Sequence, residues 1–218
     1  MPDITRDESL DDLLSRMAEE TEDQGRTAGP DEVQVGDRIR QFRESRGLTL
    51  QQLGDRTGFS TALLSQIENR MTSPPLGMLV KIANALDATV SALIGGQEER
   101  AFSIVRKADR RIVSRVGVKE GGKTAYTYEA LGAGKAGRKM EPFLVRLKPL
   151  ADRHVARNSH EGEEFLYVLS GKVEVFLDDY YDVLSEGNCI YYNSTIPHHV
   201  HSVEEAEAVI LAVIYQGK

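Results

Sequence analysis

The apolar period of this chain changes once, between residues 95 and 101. From Val35 to Ile94 apolar residues recur at helical spacing, with breakers at short intervals. After Arg100 they come as strand-length runs divided by glycine-bearing turns. That order excludes strands and helices alternating around a parallel sheet. It predicts an α+β multidomain chain: an N-terminal all-α five-helix domain, then an all-β barrel or sandwich.

The helical part can be read element by element. Val35, Ile39 and Phe42 form one stripe, closed by Gly47. Thr49 caps a second helix whose Leu50 and Leu53 face inward, and Gly58 ends it. Ser60 caps a third with Leu63, Leu64 and Ile67 inside. Pro74-Pro75 breaks the chain before Leu76, Leu79, Val80, Ile82, Ala83 and Leu86. A last short helix holds Val90, Leu93 and Ile94, before Gly95-Gly96. Two of the five, Leu50–Thr57 and Ser60–Asn69, meet at a tight turn and have helix-turn-helix proportions.

In the β part the expected strands are AFSIV, RIVSRV, TAYTYEAL, EPFLVRL, EFLYVLS, KVEVFL, YYDVL, CIYYN and AEAVILAVIY. Val173, Val175 and Leu177 alternate with Lys172 and Glu174, which turns one face inward. Cys189 is expected to pack there as a small apolar residue.

Charge is distributed unevenly over the 218 residues, whose formal net charge is −7. Residues 1–32 hold 11 acids and 3 bases, residues 33–96 hold 5 acids and 7 bases, and residues 97–218 hold 18 acids and 17 bases. The expected organisation is an acidic tail at 1–32, a helical domain at 33–96, a linker with first strands at 97–123, and a β domain at 124–218. The tail is expected to lack fixed structure, apart from a short helix with Leu10, Leu13, Leu14 and Met17 on one face. The single cysteine excludes an internal disulfide and a multi-cysteine zinc site. No run reaches the length of a membrane span and no signal-like segment opens the chain, so a cytoplasmic protein without membrane contact is expected.

The stretch RIRQFRESRGLTLQQLGDRTGFSTALLSQIENRMTSPPLGMLVKIANALDATVSALI resembles the phage-repressor-type helix-turn-helix of the XRE family. The resemblance implies that Ser60–Asn69 enters the major groove of double-stranded DNA. Ser60, Thr61, Ala62, Ser65 and Gln66 are short or amide side chains suited to base edges, and Gln66 suits a bidentate contact to adenine. Gln51 and Gln52 suit phosphate, and Arg43, Arg46, Asn69 and Arg70 would flank the backbone. Glu68 reads as structural. A palindromic operator would need a homodimer, one reading helix per copy.

Asn158-Ser159-His160-Glu161-Gly162-Glu163-Glu164, then Gly171, and Gly187 with Pro197-His198, resemble the two motifs of the cupin family. The resemblance implies a jelly-roll barrel over roughly residues 100–218, with Asn158, His160, Glu164 and His198 at its central pocket. Asn158 stands where the motif has histidine, and Asn193, Thr195 and Ser202 replace its Pro, Gly and Asn. The metal ligands carried over are His160, Glu164 and His198, a set that would suit one Fe, Zn, Ni or Mn ion. Arg146, Tyr126 and Tyr128 lie on strands able to line a pocket, and His154, His199 and His201 are expected at the surface or behind the ligands. Together the two resemblances imply a DNA-binding transcriptional regulator that senses a small-molecule effector, with no catalytic residues. The alternative is a mononuclear metal-dependent cupin enzyme, similar to a phosphonate epoxidase of the same two-domain layout.

Overall fold

The computed structural model describes residues 34–95, 101–117, 124–135, 137–149, 157–203 and 206–217. The acidic tail with its candidate helix lies outside the described residues, as do the ends of the 97–123 junction and His154.

Among the described residues five helices come first: α1 (Val35–Ser45), α2 (Leu50–Thr57), α3 (Thr61–Glu68), α4 (Leu76–Ala85) and α5 (Val90–Leu93). Local chemistry sets their ends. Thr49 Oγ1 accepts from the Gln52 backbone at 3.1 Å while Gln52 Oε1 accepts from the Thr49 backbone at 2.8 Å, a reciprocal capping box. Gly58, with φ +78°, ends α2 in the left-handed region. Ser60 Oγ accepts from the Leu63 backbone at 3.2 Å and starts α3. Ile39, Leu53, Leu64, Ile67, Leu79, Ile82 and Leu86 are buried beneath these helices. Met78 joins them although the periodic pattern leaves it out.

Among the described residues nine strands follow, in two antiparallel sheets. A six-stranded sheet runs β1 (Arg111–Gly117), β2 (Thr124–Ala130), β3 (Met140–Leu147), β9 (Ala208–Tyr215), β4 (Glu163–Ser170), β7 (Cys189–Asn193). A three-stranded sheet runs β6 (Tyr180–Ser185), β5 (Lys172–Leu177), β8 (His198–Ser202). Leu166, Val168, Val173, Val175, Ile210, Ala212 and Ile214 are buried core residues. The architecture is a helical head followed by a jelly-roll-like barrel.

Three details differ from expectation. AFSIV at 101–105 forms no strand; Phe102 and Ile104 are exposed, and the run pairs with no neighbouring edge. β8 was hidden because HHVHS carries one aliphatic residue and does not look like a core strand. Cys189 is exposed, not packed: alternation along β7 buries Tyr192, and Cys189 and Tyr191 fall on the opposite face.

Head and barrel share one continuous set of buried apolar residues. Ser114 Oγ donates to the Pro74 carbonyl at 2.6 Å. Gln216, at the end of β9, accepts from the Val90 backbone at 3.0 Å and donates to Asn84 Oδ1 at 3.3 Å. These polar bonds fix the direction of a contact whose area is otherwise apolar.

Candidate functional site

Two loci carry chemistry. The first is the outer side of the head. On α3, Leu63, Leu64, Ile67 and Glu68 are buried, Ala62 is exposed, and Thr61, Ser65 and Gln66 are half-buried. Gln66 Oε1 has no hydrogen-bond partner. Glu68 is held at the base of the helix by Arg43, with Nε at 2.7 Å and Nη2 at 2.8 Å, and by Arg40 Nε at 3.4 Å. Arg43 also donates to the Leu48 carbonyl at 2.8 Å, so its guanidinium is turned into the head.

The other expected contact residues are spread around α3. Arg46 lies over the Phe42 ring, 5.0 Å from its centroid, and donates to the Asp87 carbonyl at 3.2 Å. Arg70 has φ +62° and pairs with Asp37 and Gln34 across the start of α1. Asn69 donates to the Ser65 carbonyl at 2.9 Å. Gln51 donates to Asp55, and the amide oxygen of Gln52 is engaged in the capping box. Sequence reasoning missed Arg40, whose Nη2 meets Asn69 Oδ1 at 2.6 Å beside the end of α3. Its signal was its place one turn before Arg43 on α1, on the same helix face.

The second locus lies inside the barrel. His160 precedes β4, Glu164 lies on β4, and His198 opens β8. They are buried, and their donor atoms fall within 4.8 Å of one another. His160 Nε2 is 2.7 Å and His198 Nε2 3.6 Å from Glu164 Oε1. The Tyr192 hydroxyl donates to Glu164 Oε2 at 2.6 Å. Burial pushes the Glu164 carboxyl up, but hydrogen bonds from and charge on the two imidazoles outweigh it and hold the group well below the usual carboxylate range. Burial likewise pulls His198 down, and Glu164 outweighs it to leave the imidazole raised.

Each imidazole is oriented from behind. His160 Nδ1 lies 3.1 Å from the Glu161 carbonyl, and His198 Nδ1 lies 2.7 Å from the Ile196 carbonyl. A carbonyl only accepts, so both Nδ1 atoms carry the proton and both Nε2 atoms converge on Glu164. Such an arrangement points both Nε2 atoms and the carboxylate at one place. It is the backing expected of metal-ligating histidines, and the donor set fits a first-row divalent ion.

Other expected residues surround this cluster or leave it. Asn158 pairs with His198 through two backbone hydrogen bonds of 2.8 Å. Tyr126 and Tyr128 stack 6.4 Å apart, and burial raises both hydroxyl pKa values. Arg146 faces elsewhere, paired with Glu129 and Glu207. His199 and His201 project from the other face of β8, where His201 is buried with its Nε2 2.5 Å from Glu174 Oε2.

A helical reading head joined to a β-barrel with an inward histidine–carboxylate cluster is the class that this fold defines. Family comparison agrees: a helix-turn-helix family matches residues 39–93 and a cupin-domain family matches residues 143–214. Residues 39–93 thus match a helix-turn-helix domain and residues 143–214 a cupin domain.

Its relatives include the HTH-type transcriptional regulator SinR of Bacillus licheniformis, 33% identical over 69 residues, which are 31% of this chain and 62% of that protein. The chain thus spans less than two thirds of that relative. The HTH-type transcriptional regulator SutR of Escherichia coli (strain K12) is 22% identical over 160 residues, 73% of this chain and 82% of SutR. A crystal structure of an HTH_3 family transcriptional regulator from Vibrio cholerae superposes with a TM-score of 0.60 at 26% identity, covering 86% of this chain and 98% of that one.

Proposed function

We propose that the chain is a sequence-specific DNA-binding transcriptional regulator, working as a homodimer on a palindromic operator in the cytoplasm. The observation that carries this reading is α3: its Leu63, Leu64 and Ile67 are buried while Ala62 is exposed and Thr61, Ser65 and Gln66 are half-buried on the remaining faces. Those side chains suit base edges in the major groove, with the amides at the starts of α2 and α3 toward phosphate. The names of SinR and SutR support it. Among the described residues no helix is long and apolar enough to cross a membrane.

In the barrel, His160, Glu164 and His198 would hold one divalent ion, with Asn158 beside them as part of an effector site. A bound ion would supply fixed positive charge and open coordination positions. Glu164 stays anionic to receive it, Tyr192 steadies the second carboxylate oxygen, and the Glu161 and Ile196 carbonyls fix the ring orientations.

Selection of operator fragments from genomic DNA, followed by mobility-shift titration against salt, tests the regulator. A defined sequence bound with a steep salt dependence supports it. The buried pair of histidines and one carboxylate also favours a second reading, a metal-dependent oxidoreductase. No sequence preference, with one iron per chain and substrate-dependent oxygen uptake, would replace the first reading by the second.

A further inference from the structure

The reading head touches the His160–Glu164–His198 cluster at one glycine. A Cβ on Gly77, in the first turn of α4, would lie 3.2 Å from Asn158 Cβ, 3.3 Å from Asn158 Cγ and 3.4 Å from His160 Cδ2. Absence of a side chain at position 77 therefore lets α4 lie directly on the cluster. Cδ2 is bonded to Nε2, so the ring edge facing Gly77 is the edge that carries the ligating nitrogen. Around this contact the closure continues: the Leu76 backbone meets the Tyr128 hydroxyl, and Ser114 Oγ holds the Pro74 carbonyl at 2.6 Å. His160 is 4%, His198 6% and Glu164 8% exposed. The lid over the cluster is thus a helix of the DNA-reading domain.

We propose that the effector read at this site is the divalent cation itself, and that α4 senses its loading through Gly77. The inference rests on the regulator and metal readings given above. The first turn of α4 lies directly against Asn158 and His160. Without metal, His160 Nε2 and Glu164 Oε1 lie 2.7 Å apart. A first-row cation bonded to each at about 2.0–2.2 Å holds the two donors wider apart and turns the His160 ring edge against α4. Asn158 follows, because its backbone is paired to that of His198.

α4 transmits the change because it is packed, not free. Its Met78, Leu79 and Ile82 are fully buried and α4 lies against α2, which in turn lies against α3. A close-packed head answers a push at its base by shifting whole helices. The operator-binding state and the metal-loaded state are then linked, so each ligand changes the affinity of the other by the same factor.

The experiment uses the full chain, with MnCl2, NiCl2 or ZnCl2 alone as the probe. Native mass spectrometry of the purified protein should show the chain with one ion and no further mass; a co-purified organic molecule in the site overturns the first half of the proposal. Operator affinity, read by fluorescence anisotropy with metal and with chelator, should differ at least fivefold. Glu164→Gln should abolish the difference together with metal binding. Gly77→Ala should still bind metal and operator but respond less than twofold. Should Gly77→Ala fail to fold, Gln216→Met cuts the second tether to the head, at Asn84 and Val90, and should weaken the response likewise. One ion bound with operator affinity equal in both states overturns the coupling and leaves the metal reading standing. No ion bound overturns both, while sequence-specific DNA binding would still uphold the regulator.

Discussion

Gly162 lies between His160 and Glu164, with φ +105°, and a Cβ there would fall 2.0 Å from the Tyr215 carbonyl oxygen. No rotamer relieves that clash, because both partners are backbone. Gly162→Ala must push the start of β4 away from the end of β9 and separate His160 from Glu164. The expected cost is about 2–4 kcal/mol of stability with loss of metal binding, read by chemical denaturation and by metal titration. An unchanged midpoint would mean that the turn yields without moving β4. Gln66 makes the matching residue-scale claim in the head. Its Oε1 is buried without a hydrogen-bond partner, so reading a base requires the side chain to swing outward. Gln66→Ala should weaken operator binding by about 1–3 kcal/mol, leave non-specific binding nearly unchanged, and relax preference at one base pair. Equal losses on operator and random DNA would remove Gln66 from the base-reading set. His160→Ala, compared with wild type by elemental analysis, should lower metal content; equal and empty samples would retire the metal site.

At the scale of elements, the head was legible from sequence, and so were eight of the nine described strands, all but β8. Thr49 and Ser60 announce helix starts by local hydrogen bonds, and Gly58 announces a helix end, so the two-helix unit follows from short-range chemistry. Strands are fixed by partners far away in the chain. AFSIV has the composition of a strand and no edge to join, whereas HHVHS lacks that composition and pairs with β5. His160, Glu164 and His198 could be named from motif spacing, but not the α4 lid, because a glycine at a helix start carries no sign of what it faces.

Glu141 on β3 is similar: nothing around it in sequence predicts that Arg138 would hold it at 2.7 Å or that Ser91 of α5 would lie beside it. Burial pushes its carboxyl up to about 7, against the opposing pull of Arg138 and Ser91. The folded value lies above the ordinary 4.5, so the fold favours the protonated acid, and stability from this group is lost as pH rises from about 4.5 to about 7. Relative to Glu141→Gln, wild type should lose roughly 1–3 kcal/mol between pH 5 and pH 8 in urea denaturation. A difference that stays flat across that range would show the Arg138 pair ionised throughout.

The whole molecule carries a net −7, which at first sight opposes binding to a polyanion. The location of the charge matters more than its size. Residues 1–32 hold 11 acids and 3 bases, while the head at 33–96 holds 5 acids and 7 bases. Within the head, pairing further limits what DNA could meet: Glu68 draws Arg43 and Arg40, and Asp37 draws Arg70. What remains for DNA is a weakly basic surface with amide and hydroxyl side chains on α3, so specificity must come from base contacts more than from bulk charge. An acidic tail on the same chain competes with phosphate at high effective concentration, and that competition is screened by salt. Deleting residues 1–32 should therefore tighten non-specific DNA binding at low salt and steepen its salt dependence, while the preference for the operator over random DNA narrows. Anisotropy titrations of both forms across a salt series read all three quantities. Identical curves for the full and shortened chains would leave the tail without a part in DNA binding, and the head's own small positive balance would then be the whole of the electrostatic contribution.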